Sequence, residues 1–220
     1  MQLHPNKSLF LTLKYWRSAG IKNIEVNENQ SEEDSQNSEE DMGNLKSCFA
    51  ECQSCPLSKH RKNIVFGGGS PLAKIMFISN APDEHDDETG TAFSKGDASL
   101  LQKKIFKKMQ LKEEQIYFTH TVKCRPQEDR IPENNEVQAC NKILQHEIDI
   151  IKPKVIVTLG TLASANLLNS EEPISKLRGT IYDYQGIALM PTYHPNYLLK
   201  KLNARYDVWR DMQKVLNLIK

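Results

Sequence analysis

Four cysteines, Cys52, Cys55, Cys124 and Cys140, have the type and spacing to hold a metal centre. The first two form a C-x-x-C pair, whose sulfurs can grip one centre from a single turn. The third lies in the run Lys123-Cys124-Arg125-Pro126, and the fourth follows from a distant part of the chain. Four thiolates suit a tetrahedral zinc or an iron–sulfur cluster, since both take soft sulfur ligands. Cys48, the fifth cysteine, has no partner in this scheme. Other chemistry-bearing residues gather in three segments: 79–93 (SNAPDEHDDETGTAF), 120–126 (HTVKCRP) and 192–199 (TYHPNYLL). A glycine-rich phosphate loop, a nucleophile elbow and a His-Glu-x-x-His metal site are all absent.

The elements that must position these segments follow an α/β pattern. Apolar runs at 74–79, 116–122, 154–159 and 187–191 read as four strands. Helical periodicity marks 100–109, 133–151 and 204–219, and a further helix after Gly160 that carries Ala163 and Leu167. Strands alternating with helices predict a doubly wound, mostly parallel sheet. In such sheets ligands bind beyond the carboxyl ends of the strands. The three segments each follow a strand end, so each is a candidate wall of one site.

Residues 6–19 also have helical periodicity, and this N-terminal extension (1–26) packs on the domain or docks a protein partner. Residues 27–44 hold seven acids and no Lys or Arg, a composition that predicts a disordered linker over 27–45. One α/β domain is expected over 46–220. Overall the chain has 29 Lys and Arg against 28 Asp and Glu, so the formal charge of +1 hides a basic body behind an acidic strap. That asymmetry is compatible with a nucleic-acid partner. No stretch approaches the roughly 20 apolar residues of a membrane span, and the first residues do not look like a secretory signal. A cytoplasmic, reducing setting is expected, in which metal binding is favoured over disulfides.

Together the cysteines and the three segments resemble the family 4 uracil-DNA glycosylases, the iron–sulfur branch of that superfamily, over about residues 46–220. The family places a C-x-x-C pair near the domain start, a cysteine in a K-C-R-P loop and a fourth about sixteen residues on. Its first site motif, G-E-A-P-G followed by an acidic pair, Gly and Phe, matches Ser79-Asn80-Ala81-Pro82-Asp83, Asp86-Asp87, Gly90 and Phe93. Its H-P-x-x-L-L motif matches 194–199.

The resemblance implies a three-layer α/β/α fold around a mostly parallel four-stranded sheet, acting as a monomer on DNA. It implies a [4Fe-4S] cluster on Cys52, Cys55, Cys124 and Cys140, with zinc as the alternative. Phe93 would stack on an extruded base, and His194 would donate to uracil O2. Backbone amides around Asn80 and Ala81 would face the same oxygen, and Asp86 would place water or stabilise the sugar cation. Lys123, Arg125, Asn196, Lys200 and Lys201 would contact DNA.

The chain departs from the family at the site itself. Asn80 stands for the motif glutamate, and Ser79 and Asp83 stand for its glycines. His120 stands for the asparagine that pairs with the uracil edge. A neutral imidazole has one donor and one acceptor on different ring edges, so it cannot copy the amide's side-by-side pair. Three functions follow: uracil excision, excision of another damaged base, or DNA binding without chemistry. An electron carrier would account for the cysteines but not for Phe93 and His194.

Overall fold

The computed structural model describes residues 28–93, 105 and 107–220. The proposed helix at 6–19 lies outside the described residues. Residues 35–220 form one compact unit. In chain order its elements begin with α1 (Glu28–Phe49), the last part of which belongs to this unit, and a 3-10 turn at Pro56–Lys59. Then come β1 (Gly68–Gly69), β2 (Ile75–Ser79), α2 (Glu84–Thr89), β3 (Ile116–His120) and α3 (Asn134–Ile151). They are followed by β4 (Val155–Leu159), α4 (Thr161–Leu168), α5 (Ile174–Leu177), β5 (Tyr182–Tyr184) and β6 (Ile187–Thr192). The chain closes with α6 (Pro195–Lys200) and α7 (Ala204–Ile219). Of the helix expected at 100–109, residues 105 and 107–109 are described and helical.

The sheet has six strands in the order β1-β3-β2-β4-β6-β5. The four expected strands form its parallel centre, β3-β2-β4-β6. The four-strand expectation is therefore extended by β1 and β5, which pair antiparallel at the two edges. At two and three residues, neither edge strand carries enough alternation to be seen in sequence.

Alternate residues of the central strands feed opposite layers, as strand geometry requires. Ile75, Phe77, Val155, Val157 and Met190 pack with Val208, Met212 and Val215 of α7. Met76, Ile78, Ile156 and Leu189 pack with Leu144 and Ile148 of α3 and Ala163 and Leu167 of α4. Both faces of β2 and β4 are thus buried, which explains their continuous apolar runs.

The acidic stretch forms α1, where a disordered linker was expected. Met42 and Leu45 are buried in the same layer as Leu144, so this end of the helix has an apolar anchor. Two buried side chains three apart are invisible to composition, which averages over the whole acidic run.

Candidate active site and cysteine centre

The carboxyl ends of β2 and β3 set Ser79 beside His120 in register. The segment after β2 is not a loose loop. Asp83 caps α2, its side chain accepting from the Asp86 amide at 2.9 Å, and Gly90 closes the helix at φ 68°. An Asp at N-cap followed three residues later by an acid is a helix-start pattern. Asp83 therefore serves the backbone as a cap.

The cap sets the two carboxylates that follow. Asp87 is buried and accepts from the amides of Lys62 and Asn63, so its role is to anchor that turn. Asp86 is also buried, with Oδ2 3.0 Å from His120 Nε2. His120 is 2% exposed, and its ring stacks on Phe93 at 4.7 Å between centroids and 10° between planes. His120 Nδ1 has no hydrogen-bond partner among the described residues. Phe93 also leans on Phe118 of β3 at 5.0 Å.

His194 follows β6 and caps α6, with Pro195 at the first helical position. Proline is suited there because its missing N–H is not needed. The Asn196 amide donates to His194 Nδ1 at 3.2 Å, so Nδ1 carries the lone pair and the proton of the neutral ring sits on Nε2. That N–H donates to Ser79 Oγ at 2.8 Å. Burial, and next the proximity of the His120 imidazole, push the His194 pKa down to about 4. At neutral pH the residue is therefore an uncharged donor.

Gly160, between β4 and α4, passes close to this group. It has φ 92°, and a Cβ there would come 3.3 Å from the His194 Cβ. Asn80 faces the same turn: its Oδ1 accepts from the Ala163 amide at 3.3 Å, capping α4 in place of a side chain from Gly160. Its side chain is thus committed to a helix end, and Ala81, half-buried, follows it toward Asp83.

Behind the pocket, Arg178 lies over the Tyr193 ring at 5.6 Å and pairs with buried Asp211 of α7. Asp211 also accepts from Thr192 Oγ1 at 2.7 Å, fixing the strand end before His194. Burial raises the Asp211 pKa against the pull of Thr192 and Arg178.

Of the expected DNA contacts, Lys123 requires correction. It is 1% exposed, and its ammonium donates to Thr119 Oγ1, to the His120 carbonyl at 2.7 Å and to Glu147 Oε2 at 2.6 Å. All three donors are consumed internally. Glu147 accepts further from the Gly67 amide at 2.8 Å and from Thr119. Lys123 is therefore a strut under His120 and cannot reach a phosphate. Arg125 is near the surface but held between Glu84 at 3.2 Å and Asp129 at 2.7 Å. Asn196 and Lys200 are exposed on α6.

The four cysteines come together. Cys52 follows α1, Cys55 precedes the 3-10 turn, Cys124 follows β3, and Cys140 lies on the buried face of α3. All four line one hollow, with Arg61, Lys123 and Ile143 in its wall. Arg61 Nη1 lies 3.4 Å from Cys124 Sγ, and the Lys123 amide donates to Cys140 Sγ at 3.2 Å. Burial pushes the Cys140 thiol up to about 12 and raises Cys124 as well. Thiolates there are favoured by the Arg61 guanidinium and the Lys123 amide, and a bound metal centre would favour them further. Exposed Cys48 stands apart from this lining.

Sequence reasoning missed Ser79, Arg61 and Glu147. Ser79 was visible only as a departure from a motif; the parallel register that sets it beside His120 is a tertiary fact.

An α/β domain thus gathers an uncharged histidine donor and a stacked aromatic pair at its strand ends, beside a cysteine quartet. The family model for the uracil DNA glycosylase superfamily matches residues 66–213, and the chain belongs to that superfamily. It is 36% identical to a type-4 uracil-DNA glycosylase of Sulfurisphaera tokodaii, covering 79% of this chain and 83% of that one. A second, from Thermotoga maritima, is 36% identical over 77% of this chain and 90% of its own. A third, from Saccharolobus solfataricus, is 39% identical over 74% and 80%. Among the described residues no helix is long and apolar enough to cross a membrane.

Proposed function

We propose that this chain is a DNA glycosylase that hydrolyses the bond between C1′ and N1 of an extruded uracil. The observation that carries this reading is His194, whose Nδ1 is occupied by the Asn196 amide so that Nε2–H must be the outward donor. The names of the type-4 relatives agree with it.

A base inside the duplex cannot be attacked at this bond, so it leaves the stack first. Phe93 then offers it a flat face. As the bond breaks, its electron pair leaves on the uracil and charge gathers on O2. His194 trades its Ser79 contact for that oxygen. A preorganised donor aimed at developing charge is worth about 10²–10³ in rate. The Asp86 carboxylate stabilises the emerging sugar cation by its negative charge, and water adds to C1′ while its proton ends on the departing uracil anion. Asn196 and Lys200 meet the DNA backbone, with Arg125 at the edge.

Cys52, Cys55, Cys124 and Cys140 are assigned to an iron–sulfur cluster. Held by all four, it would tie the domain start to the strand end below His120, a structural contribution. Among the described residues no three ligand side chains converge on a single ion. Zinc is the alternative occupant of the same four thiols. With these thiols the protein belongs in a reducing compartment, which we take as the cytoplasm. It is assigned as a monomer.

The test is incubation with a labelled uracil oligonucleotide followed by alkali. Scission at the uracil is expected; its absence at high enzyme excess overturns the proposal.

A further inference from the structure

We propose that His120 determines base specificity by accepting, through Nδ1, a ring N–H that deamination creates on the base. The proposal rests on the DNA glycosylase reading and names how that site recognises its substrate.

Asp86 Oδ2, 3.0 Å from His120 Nε2, is an acceptor, so Nε2 carries a proton. In the neutral ring the remaining nitrogen, Nδ1, then holds only a lone pair. It is buried, and no described group donates to it. A buried polar atom without a partner is costly and calls for an explanation. A ligand that donates to Nδ1 supplies one.

Two contacts hold this lone pair in a fixed direction. The Asp86 bond sets the rotation of the ring, and the stack on Phe93, 10° from parallel, sets its plane. A flat base lying over the rest of Phe93 shares that plane and meets the imidazole edge-on, as an N–H···N bond requires. Below, Lys123 Nζ holds the His120 carbonyl, so the backbone of the residue is fixed as well.

The chemistry of the bases makes such an acceptor selective. Uracil carries N3–H, whereas cytosine presents a bare N3 lone pair. Facing Nδ1, the cytosine nitrogen gives two acceptors and no bond, while the uracil N–H completes the site. Hypoxanthine differs from adenine in the same way at N1. His120 thus reads the change of a ring nitrogen from acceptor to donor and leaves the exocyclic oxygen unread. The substrate class is deaminated bases with a lactam or imide N–H. Thymine shares that N–H, so His120 does not reject it.

The test uses oligonucleotides with one 2′-fluoro-2′-deoxyuridine, whose glycosidic bond resists hydrolysis, so that binding is separated from chemistry. Their counterparts carry N3-methyl-2′-fluoro-2′-deoxyuridine or 2′-fluoro-2′-deoxycytidine. Wild-type protein is expected to bind the uracil probe about 10- to 100-fold more tightly than either. His120→Phe keeps a ring against Phe93, and its preference for the uracil probe over the cytosine probe is expected to shrink toward unity. The 15N spectrum of the free wild-type protein should show His120 protonated at Nε2 and bare at Nδ1, a result independent of any variant's folding. Equal binding of all probes by the wild type, full discrimination by His120→Phe, or a proton on Nδ1 each overturns the proposal. Discrimination without excision of ordinary uracil would instead overturn the glycosylase reading and leave this one standing.

Discussion

His194 carries the chemistry proposed for this chain. Its neutral state follows from burial, and its tautomer from the Asn196 amide. Replacing it with Gln or Ala should lower single-turnover excision about 10²–10³-fold, with little change in the affinity for uracil DNA. A parallel loss of affinity would place His194 in binding instead. The same residue sets a pH dependence. Histidine titrates near 6.5 in an unfolded chain, whereas His194 is held at about 4 in the fold. Between those values the unfolded state takes up a proton that the folded state refuses, so acidification across that window lowers stability. Denaturant melts at several pH values should show a slope there that is shallower in His194→Gln; identical slopes would contradict the shift.

Elements place these residues, and their start signals were only partly legible in the sequence. The four central strands and α3, α4 and α7 could be seen because long apolar runs and 3.6-residue stripes survive averaging. Helices α2 and α6 have six residues each, too few for a stripe, and their caps, Asp83 and His194, fall within motif segments that read as loops. Capping predicts that Asp83→Ala costs about 1 kcal/mol in a denaturant melt, while Asp83→Asn costs less; a neutral Asp83→Ala would remove the cap argument. Lys123 was misplaced for a different reason. A lysine next to a loop cysteine resembles a phosphate ligand, and its partner Glu147 lies on α3, beyond the reach of any local pattern. The pair is fully buried, so breaking one side leaves a bare charge. Lys123→Met should destabilise by about 3–5 kcal/mol, and Lys123→Met with Glu147→Leu should recover much of that loss. Additive losses would mean that the two charges are not coupled.

For the molecule as a whole, the spacing of the cysteines points to a shared centre, and the fold brings all four to the lining of one hollow. Cys52 and Cys55 come from the domain start, Cys124 from the strand end four residues past His120, and Cys140 from α3. Anaerobically purified protein should hold iron and labile sulfide and should melt at a lower temperature after cluster removal. Stoichiometric zinc without iron would contradict the assignment. The account as a whole rests on uracil excision by the His194 donor. The most direct measurement is the release of free uracil from a labelled oligonucleotide in a single turnover, with iron-loaded wild type beside His194→Gln. Release by the wild type, slowed about 10²–10³-fold in the variant, is the predicted result. No release by the wild type, or equal rates in both, would contradict it.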